Sequence, residues 1–203
     1  MGGRGRALHT LYNSKAAGNL MATWNVDTAS AGISFAFVHL AVHFSVRHVV
    51  EHPLRGRFQN YSLNLSLDDE EPARSSVEIH IDAGSLQTGN GAADTQLRSA
   101  DVFDVERFPS IAFRSSQFAK VRSSRYRVTG NLVARGVARE VAFDLDQTDG
   151  AADRNGGTFA CKIAIDAADL GITCEPCWTG VGGASLFDRV DIELEFHATR
   201  GRA

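Results

Sequence analysis

Three cysteines in 203 residues are too few, and an odd number, for the disulfide framework of a small secreted domain, so reduced thiols are expected. Two tryptophans and three tyrosines leave little material for the aromatic girdles of an outer-membrane barrel. No stretch approaches the roughly 20 consecutive apolar residues of a spanning helix, because the longest apolar region is interrupted by His39, His43, Arg47 and His48. Excess positive charge is also missing: the formal net charge is -3, which gives nucleic acid or an anionic membrane no general attraction. The patterns GxSxG, GxGxxG and GxxxxGK do not occur, so neither a hydrolase nucleophile elbow nor a phosphate-cradling glycine loop is present. Residues 1–22 are rich in Gly, Arg and small polar residues without an apolar segment. No secretory signal is read there, a cytoplasmic protein is the expectation, and the stretch is set aside as a disordered or tag-like extension.

What is present is a globular composition, 43% hydrophobic and 22% charged, with a period of two running through it. Tyr61, Leu63, Leu65 and Leu67 alternate with Ser62, Asn64, Ser66 and Asp68, and Val77, Ile79 and Ile81 with Glu78, His80 and Asp82. The pattern returns at Ile111 and Phe113, at Val141, Phe143 and Leu145, at Phe159, Cys161, Ile163 and Ile165, and at Val190, Ile192, Leu194 and Phe196. Turn-forming residues separate these runs at Asp68 to Pro72, Ser123-Ser124, Arg135-Gly136 and Asp149 to Gly157. Many short strands, each with one apolar face, predict an all-β antiparallel fold over residues 23–199, and a closed barrel of about eight strands removes the exposed edges a sandwich keeps. One exception is AADTQLRSADVFDVERFP, where Asp94 is placed as the cap of one or two helical turns.

A barrel of about eight strands either fills itself with side chains or holds one slender ligand. Twelve phenylalanines, many on alternating positions, favour an apolar ligand, while a solid core remains the alternative.

Particular segments narrow the choice. The chain carries WNVD at Trp24 to Asp27, HFSVRH ending at His48, RGRF at Arg55 to Phe58, IDAGSLQTGN, LRSADVFDVERFPSIAFRS, GNLVARGVAREVAF and FACKIAIDAADLGI, in this order. Together, over roughly residues 23 to 198, they resemble the YceI-like family. The resemblance implies an extended lipocalin-like barrel with a packed helix, no catalysis, and an elongated cavity for a polyisoprenoid chain, an isoprenoid quinone or a fatty amide. It implies transport or sequestration, with a stress-related role left open, and no cofactor beyond such a bound lipid. Ala93 and Gln96 stand where that family usually has Arg and His. SFAFVH and HFSVRH also look like two copies of one element, an insertion of about nine residues that predicts a bulge, bend or loop near His39 to Ala41.

The candidate cavity lining is Phe35, Phe37, Phe44, Val46, Phe58, Leu97, Phe103, Phe113, Phe143, Phe159 and Trp178, with His48 and Arg55 as headgroup candidates. His39, His43, His48 and His52 suggest a metal site at first sight. On a strand, however, His39 and His43 stand about 13 Å apart, so no metal is assigned. Cys174 and Cys177 form a CxxC without a second cysteine pair or a surrounding βαβ pattern, which leaves a thiol- or metal-dependent function as the alternative to lipid binding. No catalytic residue is assigned, and whether two barrels pair is open.

Overall fold

The alternation read from the sequence is observed as alternating burial. In the strand Tyr61–Leu67, for example, Leu63, Leu65 and Leu67 are buried while Ser62 and Asn64 are exposed. The computed structural model describes residues 22–39, 54–68, 70–149, 156–172 and 187–200. These form ten strands and one α-helix: β1 (Ala22–His39), β2 (Leu54–Phe58), β3 (Tyr61–Leu67), β4 (Ser76–Asp82), β5 (Leu86–Gln87), α1 (Gly91–Arg98), β6 (Ser110–Arg122), β7 (Arg125–Ala134), β8 (Val137–Asp149), β9 (Gly156–Asp166) and β10 (Phe187–Arg200). The strands make one curled antiparallel sheet in the order β10-β9-β8-β7-β6-β4-β3-β1-β2-β5, and a further ladder joins β10 to β1.

About eight strands were expected and ten are found. The surplus has two sources. β5 is only two residues long and pairs with the end of β2. A break at Gln59-Asn60 splits one line of chain into β2, which pairs with Phe37 to Ile33 of β1, and β3, which pairs with Trp24 to Ala22.

The turns follow the expected chemistry. Arg135 and Gly136 join β7 to β8 with φ of 49° and 70°, the positive angles a two-residue hairpin demands and glycine supplies without cost. Gly130 answers a different need, close approach, because a Cβ there would collide with the Arg114 carbonyl and the Phe113 ring.

The helix cap differs from the sequence reading. Asn90, not Asp94, caps α1: its side chain accepts from Ala92 N at 3.0 Å and Ala93 N at 3.3 Å. Asp94 sits one turn later and accepts from Thr88 N at 2.7 Å and Thr88 Oγ1 at 2.6 Å, tying the loop before the helix to its first turn. Its carboxyl is held below the usual range, chiefly by the Thr88 hydroxyl.

The first strand carries two irregularities against β10. One, between Val38 and His39 at the strand's end, falls where a bend was expected, and Leu40 and Ala41 lie outside the described residues. The larger one was not anticipated: Asp27 pairs with His197 and Gly32 with Glu195, so four residues of β1 oppose Phe196 alone. The intervening Thr28-Ala29-Ser30-Ala31 run is small and shifts the apolar parity from Trp24 and Val26 to Ile33, the sequence mark of this bulge.

Candidate functional site

The inward residues of the sheet fall into two groups along the strands. Toward one end Trp24 meets Phe159 edge-on at 5.7 Å, Phe159 stacks on Phe196 at 5.4 Å, and Phe118 packs on Tyr126 at 5.5 Å. Leu65, Leu67, Val128 and Leu145 fill the space around them, all essentially without exposure.

Toward the other end the inward positions are mostly isoleucine and leucine, and they leave a gap. A cavity of about 50 Å³ is lined by Ile33 of β1, Phe58 of β2, Ile79 and Ile81 of β4, Ile111 and Phe113 of β6, Leu132 and Ala134 of β7, Ile163 of β9, and Val190, Ile192 and Leu194 of β10. Phe103, in the turn after α1, and Leu170, in the 3-10 turn after β9, complete the lining. Every lining residue is apolar, so the site offers dispersion and dehydration but no side-chain hydrogen bond. Phe103 is held there by the chain itself: its N–H donates to the Leu97 carbonyl and its ring meets Phe58 at 6.2 Å. Arg135 steadies the same turn by donating to the carbonyls of Ala100, Asp101 and Val102.

Of the expected lining residues, Phe58, Phe103 and Phe113 stand on the cavity. Phe143 packs behind Phe113 at 5.3 Å, Leu97 is buried on α1, and Phe159 belongs to the aromatic end. Phe35 and Phe37 are placed by the β1 register opposite Ile192 and Val190. Phe44, Val46, His43, His48, His52, Cys174, Cys177 and Trp178 lie outside the described residues. Aliphatic residues make up most of the wall, and Ile79, Ile81, Ile111, Ile163, Val190, Ile192 and Leu194 carry the same alternating sequence signal as the phenylalanines.

Arg55 is exposed and alternates with the inward Phe58, on the outer face of β2. It lines an open outer cleft of about 730 Å³ with Arg57, Gln59, Tyr61, Thr88 and others, and this cleft shares Ile33 and Phe58 with the interior cavity. Its charge also reaches Glu193, whose carboxyl is lowered mainly by the Lys162 ammonium 2.8 Å away and further by Arg55. The Cys161 thiol is buried and pushed up to about 12 by burial. Among the described residues no three His, Cys, Asp or Glu side chains gather in a way that could hold a metal ion, and no helix is long and apolar enough to cross a membrane.

This arrangement, a curled antiparallel sheet around an apolar space, has a counterpart in known proteins: residues 24–198 match the YceI-like domain. The chain belongs to the YceI-like family. YceI-like relatives include a UPF0312 protein of Vibrio cholerae serotype O1, 27% identical over 176 residues that make up 85% of each chain, and a UPF0312 protein of Serratia proteamaculans, 30% identical over 159 residues, 77% of this chain and 78% of the relative. Among solved structures, Burkholderia cenocepacia BcnA superposes with a TM-score of 0.68 at 24% identity, covering 86% of this chain and all of that one. A polyisoprenoid binding domain from Saccharophagus degradans, implicated in plant cell wall breakdown, superposes with a TM-score of 0.57 at 12% identity, covering 89% and 99%. At these identities the superpositions establish the YceI-like fold and nothing about ligands.

Proposed function

We propose that the protein binds a long lipophilic molecule, a polyisoprenoid, isoprenoid quinone or fatty amide, inside its sheet, and carries or sequesters it without performing chemistry on it. The observation that carries this reading is the wholly apolar wall of the cavity. Each 100 Å² of chain surface removed from water there contributes about 2.5 kcal/mol before the cost of ordering the ligand. The β10–β1 ladder supports treating the sheet as a closed lipocalin-like barrel: β2 and β3 act as one stave, β5 is an appendage, and eight staves remain. Membership of a family with a polyisoprenoid-binding structural neighbour supports the same reading.

The free volume is the demanding part. About 50 Å³ is far below the roughly 300 Å³ at which small-molecule pockets begin, so a chain enters only as isoleucine, leucine and phenylalanine side chains turn aside. Arg55 and Arg57, on the cleft that shares Ile33 and Phe58 with the cavity, are the proposed contacts for a polar end. The same small volume favours a second reading, a ligand-free barrel with a filled core. Mass spectrometry of lipid extracted from natively purified protein, followed by titration with a polyprenyl ligand, separates the two. A stoichiometric co-purifying or acquired lipid supports the carrier, and repeated failure of both supports the filled barrel.

A further inference from the structure

The wall around the cavity is not hydrogen-bonded everywhere. β8 pairs with β7 from Val137 to Asp146, but its ladder to β9 runs only from Leu145–Cys161 to Asp149–Thr158. β9 continues to pair with β10 through Asp166. Residues 137–144 of β8 and 162–166 of β9 therefore face each other with no ladder between them. A cleft of about 300 Å³ occupies the gap, lined by Arg139 to Ala142 and by Lys162 to Asp166 and Asp169.

The gap is framed at both ends. Below, the Leu145–Cys161 pair closes it. Above, the 3-10 turn Ala167–Leu170 spans it: Asp169 lies 3.5 Å from Arg139, and Gly171 stands close to Val137. What remains is a window roughly 15 Å long, from the rise of about 3.3 Å per strand residue. Ile163 belongs to both the window and the interior cavity, and the turn above the window contributes Leu170 to the cavity and Asp169 to the window. The rim is charged with both signs, at Arg139, Glu140, Lys162, Asp166 and Asp169, whereas Val141 and Ile163 present apolar surface packed against the core.

An unpaired pair of strand edges is normally protected by pairing or covering. Here charged residues flank it, which deters strand addition, and the gap leads inward to an apolar space. Opening the wall at this stretch breaks no ladder hydrogen bond among the described residues. We propose that the β8–β9 window is the lateral portal through which a single slender apolar chain enters and leaves the cavity. A long, narrow window between two strands suits one chain laid along it, not a two-chain or globular ligand. The Arg139–Asp169 pair does not lock it, since both side chains are about half exposed, 47% and 56%, and exposed pairs hold weakly.

This inference rests on the lipid-binding reading, and the test separates the two. In the full chain with Cys174→Ser and Cys177→Ser, the exposed Ala142 and Ala164, one on each side of the window, are replaced by cysteine. The introduced thiols are either bridged with a short bis-maleimide or capped singly with N-ethylmaleimide, and uptake of a fluorescent geranylgeranyl probe is followed. Circular dichroism checks that both forms are folded. Bridging is expected to slow uptake at least tenfold relative to capping, and to slow release of probe loaded beforehand by a similar factor. Equal rates in bridged and capped protein overturn the portal while leaving lipid binding intact. No uptake by the parent chain overturns the lipid reading and the portal with it. As a second variant, Ile163→Ala widens the inner rim and is expected to speed uptake about threefold, and an unchanged rate counts against the portal.

Discussion

The two ends of the sheet's interior are built from the same alternation and reach different results. At the aromatic end Trp24, Phe159 and Phe196 interlock and fill the space, with Phe159 showing no exposure. At the aliphatic end Ile79, Ile81 and Ile111 stand around a cavity of about 50 Å³. The flat rings at the first end cover large areas in few conformers. Isoleucine and leucine at the second leave gaps that their rotamers can redistribute. One end therefore holds the fold in register, and the other is free to yield to a ligand.

The sharpest way to break that comparison is the same truncation at both ends. Phe→Ala in a core costs about 3 to 5 kcal/mol, more where the surroundings cannot collapse. Phe159→Ala is expected near the top of that range and Phe58→Ala, beside the existing cavity, near the bottom, both by urea denaturation. Equal losses would mean that the two ends are packed alike.

Cys161 lies where the two ends meet, between Leu145 and Leu194 in the ladders. Burial raises its thiol from 9.0 to about 12, so folding favours the neutral form. The resulting stabilisation is complete below pH 9 and is lost as pH rises toward 12. At about 1.4 kcal/mol per unit it amounts to at most about 4 kcal/mol. With Cys174 and Cys177 replaced by serine, the parent is expected to lose stability above pH 9 faster than its Cys161→Ala variant. The native thiol should also resist DTNB at pH 8 until denaturant is added. Rapid labelling in the native state would show that water reaches the junction.

Much of the fold was legible because a strand with one buried side writes its geometry into a period of two: Leu63, Leu65 and Leu67, or Val190, Leu194 and Phe196, announce both strand and face. Height along the strands leaves no such mark. Ile81 and Val77 share a parity, yet one lines the cavity and the other does not, and only the stagger of neighbouring strands decides it. The β8–β9 window is equally silent, since Val141, Phe143, Ile163 and Ile165 alternate as well as any paired residues. The cap at Asn90 was missed because Asp94 is also a good capping residue; a choice between them needs the backbone, extended at Asn90 and already helical at Asp94.

A smaller effect sharpens the contrast by adding volume instead of removing it. Ala134 lines the cavity and Ala198 lies among the filled positions with no exposure. Overpacking a filled core costs about 1 to 3 kcal/mol, which is the expectation for Ala198→Val. Ala134→Val has space to enter and is expected to change stability by less than about 1 kcal/mol, while reducing uptake of a polyprenyl ligand by occupying its seat. Melting temperature and ligand titration read the two quantities separately. If Ala134→Val is as costly as Ala198→Val, the cavity is not usable space.

The smallest change tests whether the yielding end can be loosened without touching its wall. Asn90 supplies the α1 cap through two backbone N–H groups, and α1 leads into the turn that sets Phe103 on the cavity. Asn90→Ala leaves those donors to water and costs about 1 kcal/mol. Amide hydrogen exchange should show faster opening in residues 91–108 and unchanged protection around Phe159 and Phe196, because no ladder connects the helix to the aromatic end. Protection lost equally at both ends would mean that the interior opens as a single cooperative unit, and the division between a holding end and a yielding end would not stand.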